Sequence, residues 1–78
     1  MRKVSDLAPE EFVAGAILWK PTTDIYYTVQ AVQQGRFGLQ LDLWDHHYRL
    51  VHPSMEVETL HGWRLVSAPM PPRQKESL

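Results

Sequence analysis

The sequence predicts a small, mainly β protein with antiparallel strands, and two observations carry this prediction. Apolar side chains alternate with a period of two in two successive runs: Ile25, Tyr27, Val29 and Ala31, and then Phe37, Leu39, Leu41 and Leu43. Because successive side chains of a strand point to opposite faces, this period is typical of half-buried strands. A polar, glycine-containing segment at residues 33–36 separates the two runs and predicts a turn between them.

A short helix or helical turn is expected before these strands, over about residues 9–14. Pro9 suits the first helical position, the two acidic residues after it suit the positive end of a helix, and Gly15 suits the position after its end. A single longer helix over residues 5–19 is the alternative. Gly15 and the apolar run that follows it favour a change to strand instead.

Five or six short strands are expected in all. They are predicted over residues 16–20, 25–33, 36–45, 48–51, 55–60 and 63–67. A proline and an aspartate interrupt the chain within residues 21–24, and His52 with Pro53 ends the fourth strand, because proline and aspartate disfavour the ladder of a sheet. His61 and Gly62 form a two-residue loop with glycine where a tight hairpin favours it, so the last two strands are expected to pair.

The predicted core lies on the inward phase of these strands, and Phe12 and Val13 are expected to cover one end. Its members are Ile25, Tyr27, Val29, Phe37, Leu39, Leu41, Leu43, Leu50, Val57, Trp63 and Leu65. Open strand edges invite association between chains, so the strands are expected to curl into a small barrel or a compact roll.

One pattern of strands and turns supports this architecture. It consists of residues 15–19, residues 27–29, Gly35 and residues 56–66. Over about residues 15–66 the chain resembles an SH3-like small β-barrel of the Tudor or KOW type. The resemblance implies a fold and no family function, because the glycine and basic pattern of KOW domains is missing.

One small domain is expected over residues 1–68, because a chain of 78 residues has the size of a single domain. Residues 69–78 are rich in proline and polar side chains and are expected to form a disordered tail. Pro69 and Pro72, followed by Arg73, are also typical of ligands that adopt polyproline II. The tail is therefore alternatively a ligand for another domain or a segment that folds back on this one.

Composition excludes several classes of function. The chain has no cysteine, which excludes disulfides, thiolate metal sites and cysteine nucleophiles. A formal net charge of -1 gives no general attraction to nucleic acid or to an anionic membrane. Asp6, Glu10 and Glu11 interrupt the region where a signal peptide would have its apolar core, so a cytoplasmic protein is expected.

No catalytic motif is present, so neither an enzyme nor a cofactor is expected. Histidine is the commonest metal ligand, and His46, His52 and His61 are the weak metal candidates of this chain. Their spacing matches no familiar tetrahedral zinc site. The preferred interpretation places His46 in a polar turn between strands and His61 in a hairpin loop.

The predicted function is that of a binding module with an exposed aromatic surface. Tyr26 and Trp44 lie on the outward phase of the two long strands, and tryptophan, tyrosine and arginine dominate the energetics of protein interfaces. The candidate binding residues are Trp44, Tyr26, Trp19, Arg49, Arg64 and Tyr48. A protein partner is expected, which would make the chain an adaptor, a regulator or a phage-borne inhibitor. Trp19 has an equally good structural interpretation, and Trp63 shares the inward phase of Leu65.

Two other interpretations stay open. A nucleic-acid-binding small β-barrel would use Arg36, Arg49 and Arg64 together with the same aromatic side chains, against an excess of acidic residues in the barrel region. An edge strand over residues 48–51 would allow the chain to form a homodimer rather than remain a monomer, since two-fold symmetry is the commonest oligomer symmetry.

Overall fold

The computed structural model describes residues 1–69 and contains six strands in one sheet. The strands are β1 (Arg2–Lys3), β2 (Ile17–Lys20), β3 (Ile25–Gly35), β4 (Gly38–Asp45), β5 (Leu50–Glu56) and β6 (Arg64–Ser67). Their order across the sheet is β1-β6-β2-β3-β4-β5, and every neighbouring pair is antiparallel. The mainly β, antiparallel class is therefore confirmed. Within the described residues the sheet keeps two free edges, β1 and β5, and is not closed into the predicted barrel.

The two strands that carry the alternation pair with each other at the centre of the sheet, with one displacement. The register of β3 against β4 shifts between Val29 and Ala31. After this bulge Val32, opposite Leu41, packs against the core. The prediction that Ala31 shares the face of Val29 is therefore wrong, because an extra residue in one strand reverses the phase of the residues after it.

Two residues of the predicted core are exposed. Phe37 is 74% exposed and lies in the two-residue loop between Gly35 and Gly38, where the ladder of β3 and β4 ends. Leu50 is 45% exposed and is the first residue of the edge strand β5. The predictions that Phe37 and Leu50 are buried are therefore wrong. The alternation indicates which face of the sheet a side chain points to, but it does not show where the sheet ends.

β5 extends further than predicted and passes through Pro53. The expected strand over residues 48–51, ending before Pro53, is therefore wrong. Proline is tolerated here because β5 is an edge strand, in which the missing N–H need not deprive a neighbouring strand of a hydrogen bond. The register with β4 shifts at this point, and the Ser54 N–H donates to Asp42 Oδ1 at 2.9 Å.

A 3₁₀ turn, Val57–Thr59, replaces most of the strand predicted over residues 55–60. The Leu60 N–H donates to the Val57 carbonyl at 3.0 Å, and the Leu60 side chain after this turn is buried. β6 then pairs with β2 and β1. The predicted hairpin around His61 is wrong, because the strands that pair with β6 lie far away in the sequence.

The short helix predicted over residues 9–14 is also wrong, because the chain forms only a 3₁₀ turn, Pro9–Glu11, in this region. Phe12 is already extended, with φ -85° and ψ 101°, so the backbone does not continue into a helix. Phe12 is buried as expected, whereas Val13 is 36% exposed. A second 3₁₀ turn, Val4–Asp6, follows β1.

The core lies between the inner face of the sheet and the N-terminal segment. Its buried side chains are Val4, Phe12, Ala16, Leu18, Tyr27, Val29, Leu41, Leu43, Leu60 and Trp63. Four further members of the predicted core are half-buried against this cluster: Ile25, Leu39, Val57 and Leu65. The Val4 N–H donates to the Trp63 carbonyl at 2.9 Å, which ties the N-terminal segment to the residue before β6.

Pro69, the last described residue, packs beside Gly15 before the start of β2. Its ring lies 3.3 Å from the point where a Cβ on Gly15 would be. Residues 70–78, with all of the predicted disordered tail except Pro69, lie outside the described part of the chain. No helix among residues 1–69 has the length and apolar character needed to cross a membrane.

Candidate binding surface

The outer face of the sheet carries three large aromatic side chains on three neighbouring strands. Trp19 of β2 lies opposite Tyr26 of β3, and their rings stack with 6.4 Å between centroids and an interplanar angle of 26°. Trp44 of β4 lies opposite Thr28, two residues beyond Tyr26 on β3. Arg64 of β6 lies opposite Trp19 on its other side. These five side chains share one surface, called the outer aromatic face below.

Alternation places the outer aromatic face on the opposite side of the sheet from the core. The residue next to each aromatic side chain is a buried core residue: Leu18, Tyr27 or Leu43. Tyr26 is 41% exposed, and the two tryptophans are half-buried. A half-buried aromatic side chain is partly packed on its own protein and still offers apolar area to a partner.

Hydrogen bonds fix side chains around this surface. Trp19 Nε1 donates to Asp24 Oδ1 at 2.8 Å, across the β2–β3 loop. The His46 N–H donates to the Tyr26 carbonyl at 3.0 Å, and His46 Nε2 forms a hydrogen bond of 2.6 Å with Thr28 Oγ1. The sequence alone does not indicate the roles of Asp24, Thr28 and His46, because only the register of β2, β3 and β4 brings these residues together.

The buried carboxylate of Asp45 organises the turn between β4 and β5. Its Oδ1 accepts the N–H groups of His47 and Tyr48, each at 2.8 Å, and its Oδ2 lies 2.9 Å from His52 Nε2. Burial disfavours the charged carboxylate, but the hydrogen bonds from Tyr48, His52 and His47 outweigh burial, so the pKa of Asp45 lies below its usual value. The turn is thus held from inside by a charged group.

The same carboxylate faces one end of the core. The Tyr27 ring lies 5.8 Å from the His52 ring and 4.6 Å from the Trp63 ring, between centroids. Burial raises the pKa of the Tyr27 phenol, and the negative charge of Asp45 raises it further. Trp63 is buried, and the Lys20 amino group lies 5.8 Å from the centroid of its ring. Trp63 therefore belongs to the core, as its inward phase predicts.

The other residues predicted to bind a partner or nucleic acid do not belong to the outer aromatic face. Tyr48, in the β4–β5 turn, is 65% exposed and packs edge-on against His47, with 4.6 Å between ring centroids. Arg49 in the same turn has a positive φ of 58°. Arg36 lies at the opposite end of β4, where its guanidinium is 5.9 Å from the centroid of the Phe37 ring. The three arginines of the nucleic-acid interpretation are therefore spread over different parts of the molecule.

The three candidate metal-ligating histidines also lie apart. His46 bonds to Thr28 on the outer face, His52 bonds to Asp45 on the inner side, and His61 follows the last 3₁₀ turn. In the part of the chain that the structure describes, no group of three or more histidine, aspartate or glutamate side chains is placed to hold a metal ion.

Comparison of the chain with protein-family models, curated proteins and solved structures gives no significant match. Its candidate site therefore rests on the geometry and chemistry of its own residues. Of the six candidate binding residues, the sheet gathers Trp19, Tyr26, Trp44 and Arg64 on one face and leaves the two turn residues beyond its end.

Proposed function

We propose that this chain is a non-enzymatic binding module that docks a protein partner on the outer aromatic face. The observation that carries the proposal is the assembly of Trp19, Tyr26 and Trp44 on three adjacent strands, with Arg64 at the edge. Tryptophan, tyrosine and arginine are enriched in interface hot spots, where truncation of one side chain costs about 2 kcal/mol or more.

The contacts among the side chains of this surface support the proposal. The stack of Trp19 on Tyr26 and the hydrogen bond from Trp19 to Asp24 order the rings before any partner arrives. Side chains that are already ordered lose less conformational entropy on binding, so more of the contact energy appears as affinity. An aromatic sheet face of this kind suits a complementary apolar patch on a folded partner.

We propose further that the sheet is an open variant of the SH3-like small β-barrel that the sequence resembles. The order β6-β2-β3-β4-β5, with a 3₁₀ turn between β5 and β6, supports this assignment. Such a module would act as an adaptor, a regulator or an inhibitor of a larger complex in the cytoplasm. It would need no cofactor and would work as a monomer or a homodimer.

Nucleic acid is the alternative partner and suits this surface less well. Neutralisation of phosphates by lysine and arginine dominates nucleic-acid affinity. Of Arg36, Arg49 and Arg64, only Arg64 belongs to the outer aromatic face, whereas Asp24 and Asp42 add negative charge beside it.

The test is an affinity pull-down from a lysate of the source cells, read by mass spectrometry with and without nuclease treatment. Trp44→Ala and Tyr26→Ala each remove one ring from the outer aromatic face and leave the inner face unchanged. Each variant loses a hot-spot side chain, so we expect at least about tenfold less partner than with the wild type. Nuclease treatment should not alter this result.

Phe37→Ala is the matched control, because Phe37 is an exposed aromatic residue in the β3–β4 loop, away from the outer aromatic face. This variant should retain the partner, and circular dichroism would check that every variant keeps its β spectrum. Partners that disappear after nuclease treatment would favour nucleic acid. Equal capture by the wild type and both outer-face variants would contradict the proposal.

A further inference from the structure

An apolar groove lies at the other end of the molecule, away from the outer aromatic face. Its volume is about 360 Å³, and its walls include Phe12 from the N-terminal segment, Phe37 and Leu39 from the β3–β4 hairpin, and Val57 and Leu60 around the last 3₁₀ turn. Phe37 is 74% exposed at this groove. An exposed aromatic ring beside half-buried aliphatic side chains is a surface that gains free energy when it is covered.

The groove is also acidic. Glu56 and Glu58 belong to its lining, and no lysine or arginine of residues 1–69 does. Neither carboxylate forms an ion pair with a lysine or arginine of the described residues. A segment that suits this groove therefore combines apolar side chains with positive charge.

The chain itself carries such a segment within reach. The described residues end at Pro69, which packs beside Gly15. Gly15 is three residues from Phe12, so their Cα atoms are at most about 11 Å apart. Residues 70–78 begin with Met70 and two prolines and then contain Arg73, Lys75 and one acidic residue, Glu76, so the charged side chains of the segment sum to +1. Nine extended residues span roughly 30 Å, which is enough to cross the groove.

We infer that residues 70–78 dock in this groove as an intramolecular ligand. Met70 and the prolines lie along the groove and cover the exposed ring of Phe37, and the two basic residues lie near the carboxylates of the groove. Tethering gives the segment an effective concentration in the millimolar range, so modest contacts suffice to keep it bound. The two prolines restrict the free segment, which lowers the entropy lost on docking. A partner for the groove would have to displace this segment first.

The absence of cysteine allows a sharp test, because Ser77→Cys gives the full chain a single attachment point for a spin label. Paramagnetic broadening of amide signals in NMR spectra then reports which surface the segment approaches. We expect the amides of Leu39 and Leu60 to broaden at least about threefold more than those of Tyr26 and Val51. A sample of labelled and unlabelled copies, mixed so that only contacts between molecules are seen, should show no such broadening.

Two further variants of the labelled chain test the contacts. Phe37→Ser removes the exposed groove ring and should abolish the preferential broadening, whereas Tyr48→Ser, which removes an exposed ring in the β4–β5 turn, should leave it unchanged. The double variant Arg73→Gln and Lys75→Gln should weaken it, as should added salt. Broadening centred on the outer aromatic face, spread evenly over the sheet, or present only between molecules would overturn the inference.

Discussion

β4 shows how differently the two faces of one sheet are used. Leu41 and Leu43 point inward and are fully buried, whereas Asp42 and Trp44, which alternate with them, are half-buried on the outer face. The inner residues belong to the core cluster. A solvated sheet face needs only polar side chains, so folding by itself does not require tryptophan there. The contrast indicates that the inner face holds the fold together, and it supports the proposal that the outer face binds a partner.

Truncation of neighbouring residues on opposite faces of β4 tests most strongly whether the two faces have different roles. Leu43→Ala leaves a cavity in the core and should lower the free energy of unfolding by about 2–5 kcal/mol, which is a large share of the stability of a folded unit of this size. Trp44→Ala should lower it by less, because Trp44 is only partly buried on the outer face, whereas Leu43 is fully buried. Urea unfolding of both variants, followed by circular dichroism, measures the difference.

A larger loss of stability in Trp44→Ala than in Leu43→Ala would contradict the division between the faces. Trp44 would then be a structural residue, and any loss of partner in that variant would reflect unfolding. Tyr26→Ala separates loss of binding from loss of the fold, because Tyr26 is more exposed than Trp44. Its removal should change the urea midpoint little and still weaken binding of the partner.

A substitution of Asp45, in the turn between β4 and β5, should have a smaller effect on stability than Leu43→Ala. Asp45→Asn removes the charge that accepts the N–H groups of His47 and Tyr48 and should cost about 1–3 kcal/mol, because hydrogen bonds to a buried charged group are strong. Asp6→Asn, at an exposed position, is the control and should leave stability unchanged.

The stability of the wild type should also depend on pH through Asp45. Its pKa is lower in the folded chain than in the unfolded chain, so its contribution is fully present above about pH 4 and is lost as the pH falls through the folded-state pKa. Urea midpoints measured between pH 7 and pH 3 should fall less steeply in Asp45→Asn than in the wild type. Parallel pH profiles would show that this carboxylate does not stabilise the turn.

The alternation predicted the fold class and the part of the core on β3 and β4, because it is a local property of the chain. It did not predict the buried residues Val4, Ala16, Leu18 and Leu60, which lie outside the two alternating runs. It could not predict the bulge in β3, since Ala31 and Val32 are both apolar and either could point inward. The passage of β5 through Pro53 and the pairing of β6 with β2 depend on which strand lies at the edge of the sheet. That order is set by contacts between distant segments.

The candidate site likewise has a part that the sequence predicted and a part that only the strand pairing shows. The outward phase of Tyr26 and Trp44 follows from the sequence, because both alternate with core residues of the same strand. The placement of Trp19 and Arg64 beside them required the pairing of β2 with β3 and β6. The groove was not predicted, because the alternation assigned Phe37 to the core, whereas the loop in which it lies leaves it exposed.

Tryptophan indole signals in NMR spectra separate the two faces most directly, during titration of the isotope-labelled chain with the captured partner. Trp19 and Trp44 report on the outer aromatic face, and the buried Trp63 reports on the core. We expect the indole signals of Trp19 and Trp44 to shift or broaden on binding while that of Trp63 stays in place. A bound partner that moves only the signal of Trp63, or the amide signals around Phe37 without either outer indole, would contradict binding through the outer aromatic face.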